Sequence, residues 1–231
     1  MATYVLIHGG GSTAACWDLV SEELRQHGHE AVAVDLPSDN PDATWDEYAK
    51  TVINAASGRN NLIVVGHSMG AFTASLVAEH IPTKLLIYVA GMVPLPGEEF
   101  MQWWTNTDYS EAKRVQLELD GRSPDEEEDV YQSYYHDVPR ELADADIARG
   151  EGRENAPSGP LPLQALPDVL TRFLVCSDDG FFPEPLMRRV AQERLGVKPD
   201  EIAGSHMPML ARPEELVDSF ETFRLEAAVV D

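Results

Sequence analysis

The sequence predicts an α/β protein: a mostly parallel, six-stranded sheet with helices on both faces and a cap inserted between two of its strands. Three observations predict it. Short apolar runs alternate with stretches of helical periodicity along most of the 231 residues, the pattern that crossover helices leave in a parallel sheet. One run, Asn61-Leu62-Ile63-Val64-Val65, ends in Gly66-His67-Ser68-Met69-Gly70 and passes directly into a helix-like stretch, Ala71 to Ala78. The alternation then breaks between about Pro94 and Pro167, where acids, prolines and aromatics crowd together.

Each element follows in order. Thr3 to His8 is an unbroken apolar run and reads as a buried strand. Trp17, Val20 and Leu24 recur at helical spacing up to Gly28, a helix stop. Glu30 to Asp35 is a second strand, stopped by Pro37, and Ala43 to Ala56 a helix with Thr44 as its cap. Leu62 to Val65 and Leu85 to Val89 are strands flanking the helix Ala71 to His80. Thr171 to Cys176 is the fifth strand, Glu184 to Leu195 a helix, Pro199 to Ile202 a short sixth strand, and Pro213 to Ala227 a closing helix. One domain is expected, its core at 1–93 and 166–231 and its cap at about 94–165. Helices are expected in the cap at Glu98 to Trp104 and Pro139 to Arg149, with an acidic run, Asp125 to Asp129. Clustered aromatics in an insertion usually sit over a site; the alternative is that they extend the core.

Composition limits the partners. Seventeen Lys and Arg against 40 Asp and Glu give a formal charge of −23. Such a surface repels nucleic acid and anionic membranes and favours neutral or cationic ligands. Cys16 and Cys176 fit no disulfide framework or zinc spacing and read as buried thiols. The chain opens almost directly into strand, so no secretory leader is expected, and no apolar run approaches membrane-spanning length. A cytoplasmic protein is the expectation, a mature secreted form the alternative.

The chemistry starts at Ser68. A strand, G-x-S-x-G and a helix make a turn so sharp that the serine is strained and its hydroxyl stands exposed at the strand end. Gly66 and Gly70 leave room where a side chain would collide. A serine nucleophile needs a base, and the base an orienting acid. The fifth strand is followed by Ser177-Asp178-Asp179-Gly180-Phe181-Phe182-Pro183, the sixth by Gly204-Ser205-His206-Met207-Pro208. The order serine, acid, histidine at strand ends assigns Ser68 as nucleophile, His206 as base and Asp179 as orienting acid, with Asp178 the alternative. The oxyanion donors are expected to be the amides of Met69, directly after the nucleophile, and Gly10 in His8-Gly9-Gly10-Gly11-Ser12. His8 is expected to hold that loop and His67 to point away from the nucleophile. Met92, Trp103, Trp104 and Met207 are candidate pocket walls by position. No metal signature is present, and no cofactor is expected.

The same glycines admit another class. Gly9-Gly10-Gly11-Ser12-Thr13-Ala14 matches G-x-G-x-x-A after a strand, and Asp35 ends the next strand, as in dinucleotide-binding folds. An NAD-dependent oxidoreductase would leave Ser68, Asp179 and His206 as coincidences, and it ranks below the hydrolase.

Taken together, His8-Gly9-Gly10-Gly11 with Trp17, Asp35-Leu36-Pro37, the Ser68 pentapeptide and Gly204-Ser205-His206 resemble the small α/β-hydrolases grouped with plant methylesterases and hydroxynitrile lyases, and their bacterial relatives. The resemblance covers nearly the whole chain and is weakest in the cap. It implies the α/β-hydrolase fold and cofactor-free cleavage of small esters. It places the triad at Ser68, His206 and Asp179 and the oxyanion donors at Gly10 and Met69. The lyase members resemble one another in a threonine after the loop histidine and a lysine after the catalytic histidine; here Gly9 and Met207 stand there, which favours an esterase. The expected substrate is a small neutral ester, cleaved through an acyl-enzyme. A lactonase or perhydrolase on the same triad is the alternative, and the resemblance also permits a ligand receptor with vestigial hydrolysis. A homodimer is allowed.

Overall fold

The computed structural model describes residues 1–123 and 128–230; most of the acidic run at 125–129 lies outside the described residues. Six parallel strands form one sheet in the order β2-β1-β3-β4-β5-β6. They are β1 (Thr3–Ile7), β2 (Glu30–Val34), β3 (Leu62–His67), β4 (Thr83–Val89), β5 (Thr171–Cys176) and β6 (Asp200–Ile202). β1 and β3 are buried along their whole length, which is why both read as unbroken apolar runs.

Helices cover both faces. On one lie α1 (Asp18–Gln26), the short α8 (Pro208–Ala211) and α9 (Pro213–Val230), around Trp17, Leu24 and Phe220. On the other lie α2 (Trp45–Ala56), α3 (Gly70–His80) and α7 (Glu184–Val190), around Trp45, Phe72 and Leu186. Thr44 caps α2 as expected: its Oγ1 accepts from the Glu47 amide at 3.3 Å while Glu47 Oε2 accepts from the Thr44 amide at 2.8 Å. The chain leaves β1 towards β2 on one side and returns to β3 on the other. That reversal opens a crevice at the carboxyl ends of the strands, where such sheets bind ligands.

Between β4 and β5 the chain carries α4 (Phe100–Asn106), α5 (Tyr109–Leu119) and α6 (Arg140–Gly150), with a wide turn at Tyr131–Tyr135. α4 and α6 sit within two residues of the predicted helices. α5 was not foreseen. None of its residues is buried, so no apolar stripe announces it; Arg114, paired with Glu111 and Glu118, supports it from the surface. A buried ion pair, Glu98 with Arg194 at 2.6 Å, anchors the start of the segment to the core. Among the described residues no helix is long and apolar enough to cross a membrane.

Candidate active site

Ser68 sits between β3 and α3 with φ of 50°, a left-handed conformation that few non-glycine residues adopt. The surrounding backbone holds it there. Its amide donates to Val89 O at 3.1 Å, and its carbonyl accepts from the amides of Ala71 at 3.1 Å and Met92 at 3.0 Å. A Cβ on Gly70 would lie 2.5 Å from His8 O, and one on Gly66 would lie 2.7 Å from Ala74 Cβ. The two glycines therefore let β1, β3 and α3 meet closely enough to make the turn.

The acid and the histidine arrive from the neighbouring strand ends. Asp179 Oδ2 accepts from His206 Nδ1 at 2.7 Å, and both side chains are 2% exposed. Asp179 Oδ1 accepts from the amides of Phe181 at 2.8 Å and Phe182 at 2.9 Å, which fixes the carboxylate plane. With Nδ1 committed to Asp179, the other ring nitrogen of His206 is the one left for a reacting group. Asp178 does a different job. Its Oδ2 accepts from Ser177 Oγ at 2.8 Å and from the Gly204 amide at 3.1 Å, tying the β5 loop to the β6 loop. Those two bonds hold its carboxyl below the usual range.

Gly10 and Met69 are brought together: a Cβ on Gly10 would lie 3.6 Å from Met69 Sδ. Neither amide donates to a protein acceptor among the described residues. His8 holds the glycine loop, its Nδ1 donating to Gly9 O at 2.7 Å and its Nε2 accepting from the Leu36 amide at 3.0 Å. His67 departs from expectation. It is not turned away from the site but lies under His206, ring centroids 4.7 Å apart, and its Nε2 donates to His206 O at 2.9 Å. The His206 loop folds over it, a contact that alternation along β3 does not encode. Burial first, then the neighbouring His206, keep the imidazole of His67 well below the usual histidine range, so it is neutral.

Ser68, Met69, His67 and His206 border a cavity of about 420 Å³ that also touches Gly10, Gly11 and Ser12. Met92, Trp104 and Met207 line it. Trp103 does not. It is fully buried, its Nε1 donates to Val93 O at 3.0 Å, and it packs on Phe182. Adjacent residues on a helix point about 100° apart, so α4 can give only one of its tryptophans to the cavity. Phe100 and Tyr134, two of the clustered aromatics of the inserted segment, also line it, and so does Phe181, which was not singled out in the sequence. Phe181 could have been found from its place two residues after Asp179.

The 94–165 segment reaches all three loops of the site. α6 lies so close to the glycine loop that a Cβ on Gly150 would be 1.9 Å from Gly11 O, and the Gly11 amide donates to Arg153 O at 3.1 Å. Asp146, 1% exposed, accepts from Ser12 Oγ at 3.1 Å and from Tyr135 Oη at 3.0 Å; burial pushes its carboxyl up despite those bonds. At the acid loop, a Cβ on Gly180 would lie 2.5 Å from Gln132 O. At the histidine loop, Gly204 has φ of 105°, and a Cβ there would lie 2.2 Å from Asp137 Oδ2.

α6 thus packs directly against the glycine loop at Gly11. Asp35 accepts from the Ala14 amide at 2.8 Å instead of standing free for a ribose. Loop and acid are engaged within the protein, against the dinucleotide alternative. Cys16 and Cys176 are buried free thiols whose acidity burial suppresses. Among the described residues no group of three or more His, Cys, Asp or Glu is placed to hold a metal ion.

Comparison with known proteins bears on the fold and the family. A probable esterase of rice, PIR7A from Oryza sativa subsp. indica, is 27% identical over 93% of this chain and 94% of its own length. Methylesterase 7 of Arabidopsis thaliana is 26% identical over 92% of each. Among solved structures, an extracellular alpha/beta-hydrolase from a Paenibacillus species, described as sharing structural and functional homology with tobacco salicylic acid binding protein 2, superposes with a TM-score of 0.74. It is 19% identical and covers 96% of this chain and 98% of its own. Polyneuridine aldehyde esterase superposes with a TM-score of 0.73, at 19% identity and the same coverage. The model of the alpha/beta hydrolase family matches residues 4–219, and the chain belongs to that family.

Proposed function

We propose that the protein is a serine esterase that cleaves small carboxylic esters through an acyl-enzyme. The observation that carries this reading is the buried Asp179–His206 pair, 2.7 Å apart, whose His206 lines the same cavity as Ser68. Ser68 Oγ attacks the ester carbonyl carbon and gives its proton to His206 Nε2. Asp179 holds the imidazole in the tautomer that can accept and stabilises the imidazolium that forms. The amides of Gly10 and Met69, free of protein acceptors, receive the developing oxyanion. Collapse expels the alcohol, which takes the proton from His206. Water, activated by the same histidine, then releases the acid and restores Ser68. Among the described residues no hydrogen bond joins Ser68 Oγ to His206 in the free chain; that contact closes with the ester in place, as such contacts commonly do.

Named relatives support the reading, since rice PIR7A and Arabidopsis methylesterase 7 are an esterase and a methylesterase by name. The apolar cavity suits a small substrate without negative charge. The test is turnover of p-nitrophenyl esters of rising acyl length beside the Ser68→Ala variant. Hydrolysis by the wild type, reduced about 10⁴-fold or more in the variant, supports the reading; equal rates in both proteins refute it. A lactonase or perhydrolase would use the same residues, and lactone and peracid assays on the same two proteins separate them.

A further inference from the structure

The cavity over Ser68 has two chemically different sides. Phe100, Trp104, Tyr134 and Phe181 present half-buried aromatic faces. On the side of the glycine loop stands Glu154, its Cγ 3.8 Å from where a side chain on Gly11 would begin. Among the described lining residues Glu154 is the only carboxylate, and no lysine or arginine is present. It is exposed and makes no hydrogen bond or ion pair with a described residue, so the fold does not need its charge. The neighbouring cations are spent elsewhere. Arg153 turns to Asp39 at 3.5 Å. Lys113 lies over the Phe181 ring, its Nζ 5.9 Å from the centroid, and donates to Gly180 O. His67 is neutral and adds no positive charge. A second acid acts on the aromatic wall: after burial, the charge of Glu128 is the largest influence holding the Tyr134 phenol above its usual range. The chain as a whole carries −23.

Aromatic faces and an unpaired carboxylate inside a negative field are the elements that recognise an organic cation. We propose that the site takes esters bearing an ammonium group, held by Glu154 and the Trp104–Tyr134–Phe181 wall; this rests on the esterase reading above. A neutral ester of the same shape gains the apolar contacts but neither the cation–π attraction nor the charge pairing. A carboxylate-bearing ester meets repulsion.

Acetylcholine and 3,3-dimethylbutyl acetate test this directly, because they share one shape and differ in a single charge. The wild type is expected to favour the charged ester in kcat/KM by roughly tenfold at low ionic strength, a preference that salt erodes. In Glu154→Gln the ratio should shrink towards one, and because both esters are read in the same protein, any general loss of activity cancels. A ratio of one or less in the wild type, or a ratio unchanged in the variant, overturns the proposal while leaving the esterase reading standing. Calorimetric titration of phenyltrimethylammonium into Ser68→Ala gives a readout independent of turnover. Saturable binding, weakened roughly tenfold by adding Glu154→Gln, supports the cation site even if neither ester is cleaved, in which case the esterase reading alone fails. Absence of saturable binding at millimolar ligand overturns the cation site.

Discussion

The carboxyl edge of the sheet and the 94–165 segment build the same cavity by different means. At the sheet edge each functional side chain hangs from a strand end, and the strand register places it. Ser68 follows β3, Asp179 follows β5 and His206 follows β6, and short backbone hydrogen bonds complete the placement. The inserted segment contributes no group to the proposed chemistry. It supplies aromatic faces and presses on the glycine, acid and histidine loops through close approaches at Gly150, Gly180 and Gly204. On the proposed esterase reading, the difference teaches that the reacting groups come from the sheet edge and the aromatic walls largely from the inserted segment, joined by close approaches at Gly150, Gly180 and Gly204.

The sharpest way to break that division is at the sheet edge itself. Asp179→Asn should lower kcat about 10³- to 10⁴-fold, because the amide would favour the wrong imidazole tautomer. Asp178→Asn should cost far less, since Asp178 only ties Ser177 to Gly204. Steady-state kinetics on the two variants check this, and a reversed order would move the orienting role to Asp178.

Next come the joints. Gly150→Ala puts a methyl group into Gly11 O, and overpacking of this kind costs about 1–3 kcal/mol. It should also displace the loop that carries Gly10 and lower kcat more than it raises KM. Asp146→Asn should act in the same direction and more gently, because an amide can still accept from Ser12 or Tyr135 but not from both through one oxygen as readily. Thermal melts and kinetics read together separate lost stability from lost positioning. Loss confined to the melting temperature would make the segment a cover and nothing more.

The two adjacent tryptophans sharpen the comparison further. Trp103→Ala empties a core site and should cost about 3–5 kcal/mol. Trp104→Ala should leave folding nearly intact and change KM several-fold in a way that depends on the ester used. Equal effects in both assays would mean that the segment and the core are not distinct in function.

The smallest effect concerns stability against pH. His67 is neutral when folded and would protonate near 6.5 when unfolded, so the unfolded chain binds more protons and stability falls as pH drops below about 6.5. Glu221 adds a second loss at lower pH. Burial alone would raise its carboxyl, but hydrogen bonds from Arg224, Tyr4 and His29 outweigh it and bring it from 4.5 to about 2. Its stabilisation is complete above 4.5 and disappears as pH falls towards about 2. Glu221→Gln should lower the melting temperature by roughly 2–6 °C near neutral pH and flatten the acid limb of the stability curve. An unchanged limb would remove Glu221 from the explanation.

What was legible in the sequence follows the same division. Strands buried on both faces left unbroken apolar runs, and the glycines around Ser68 marked a turn that only a strand–helix crossing demands. The acid and histidine could be placed because both follow a strand. Inside the inserted segment no such periodicity operates. Trp103 and Trp104 are indistinguishable in sequence, and only the rotation of α4 decides which one reaches the cavity. α5 has no fully buried residue and packs on the core only through Tyr109 and Ala112, so it left no stripe. His67 and Asp146 take their importance from loops more than a hundred residues away in His206 and in Ser12, contacts that no local pattern encodes.

The most direct test of the whole scheme is the site of covalent modification by a fluorophosphonate. After brief exposure at neutral pH and proteolysis, mass spectrometry should find the adduct on the peptide carrying Ser68. Labelling should collapse in His206→Ala, where nothing accepts the serine proton. An adduct on another residue, or labelling of Ser68 undiminished in His206→Ala, would contradict a nucleophile activated by the Asp179–His206 pair.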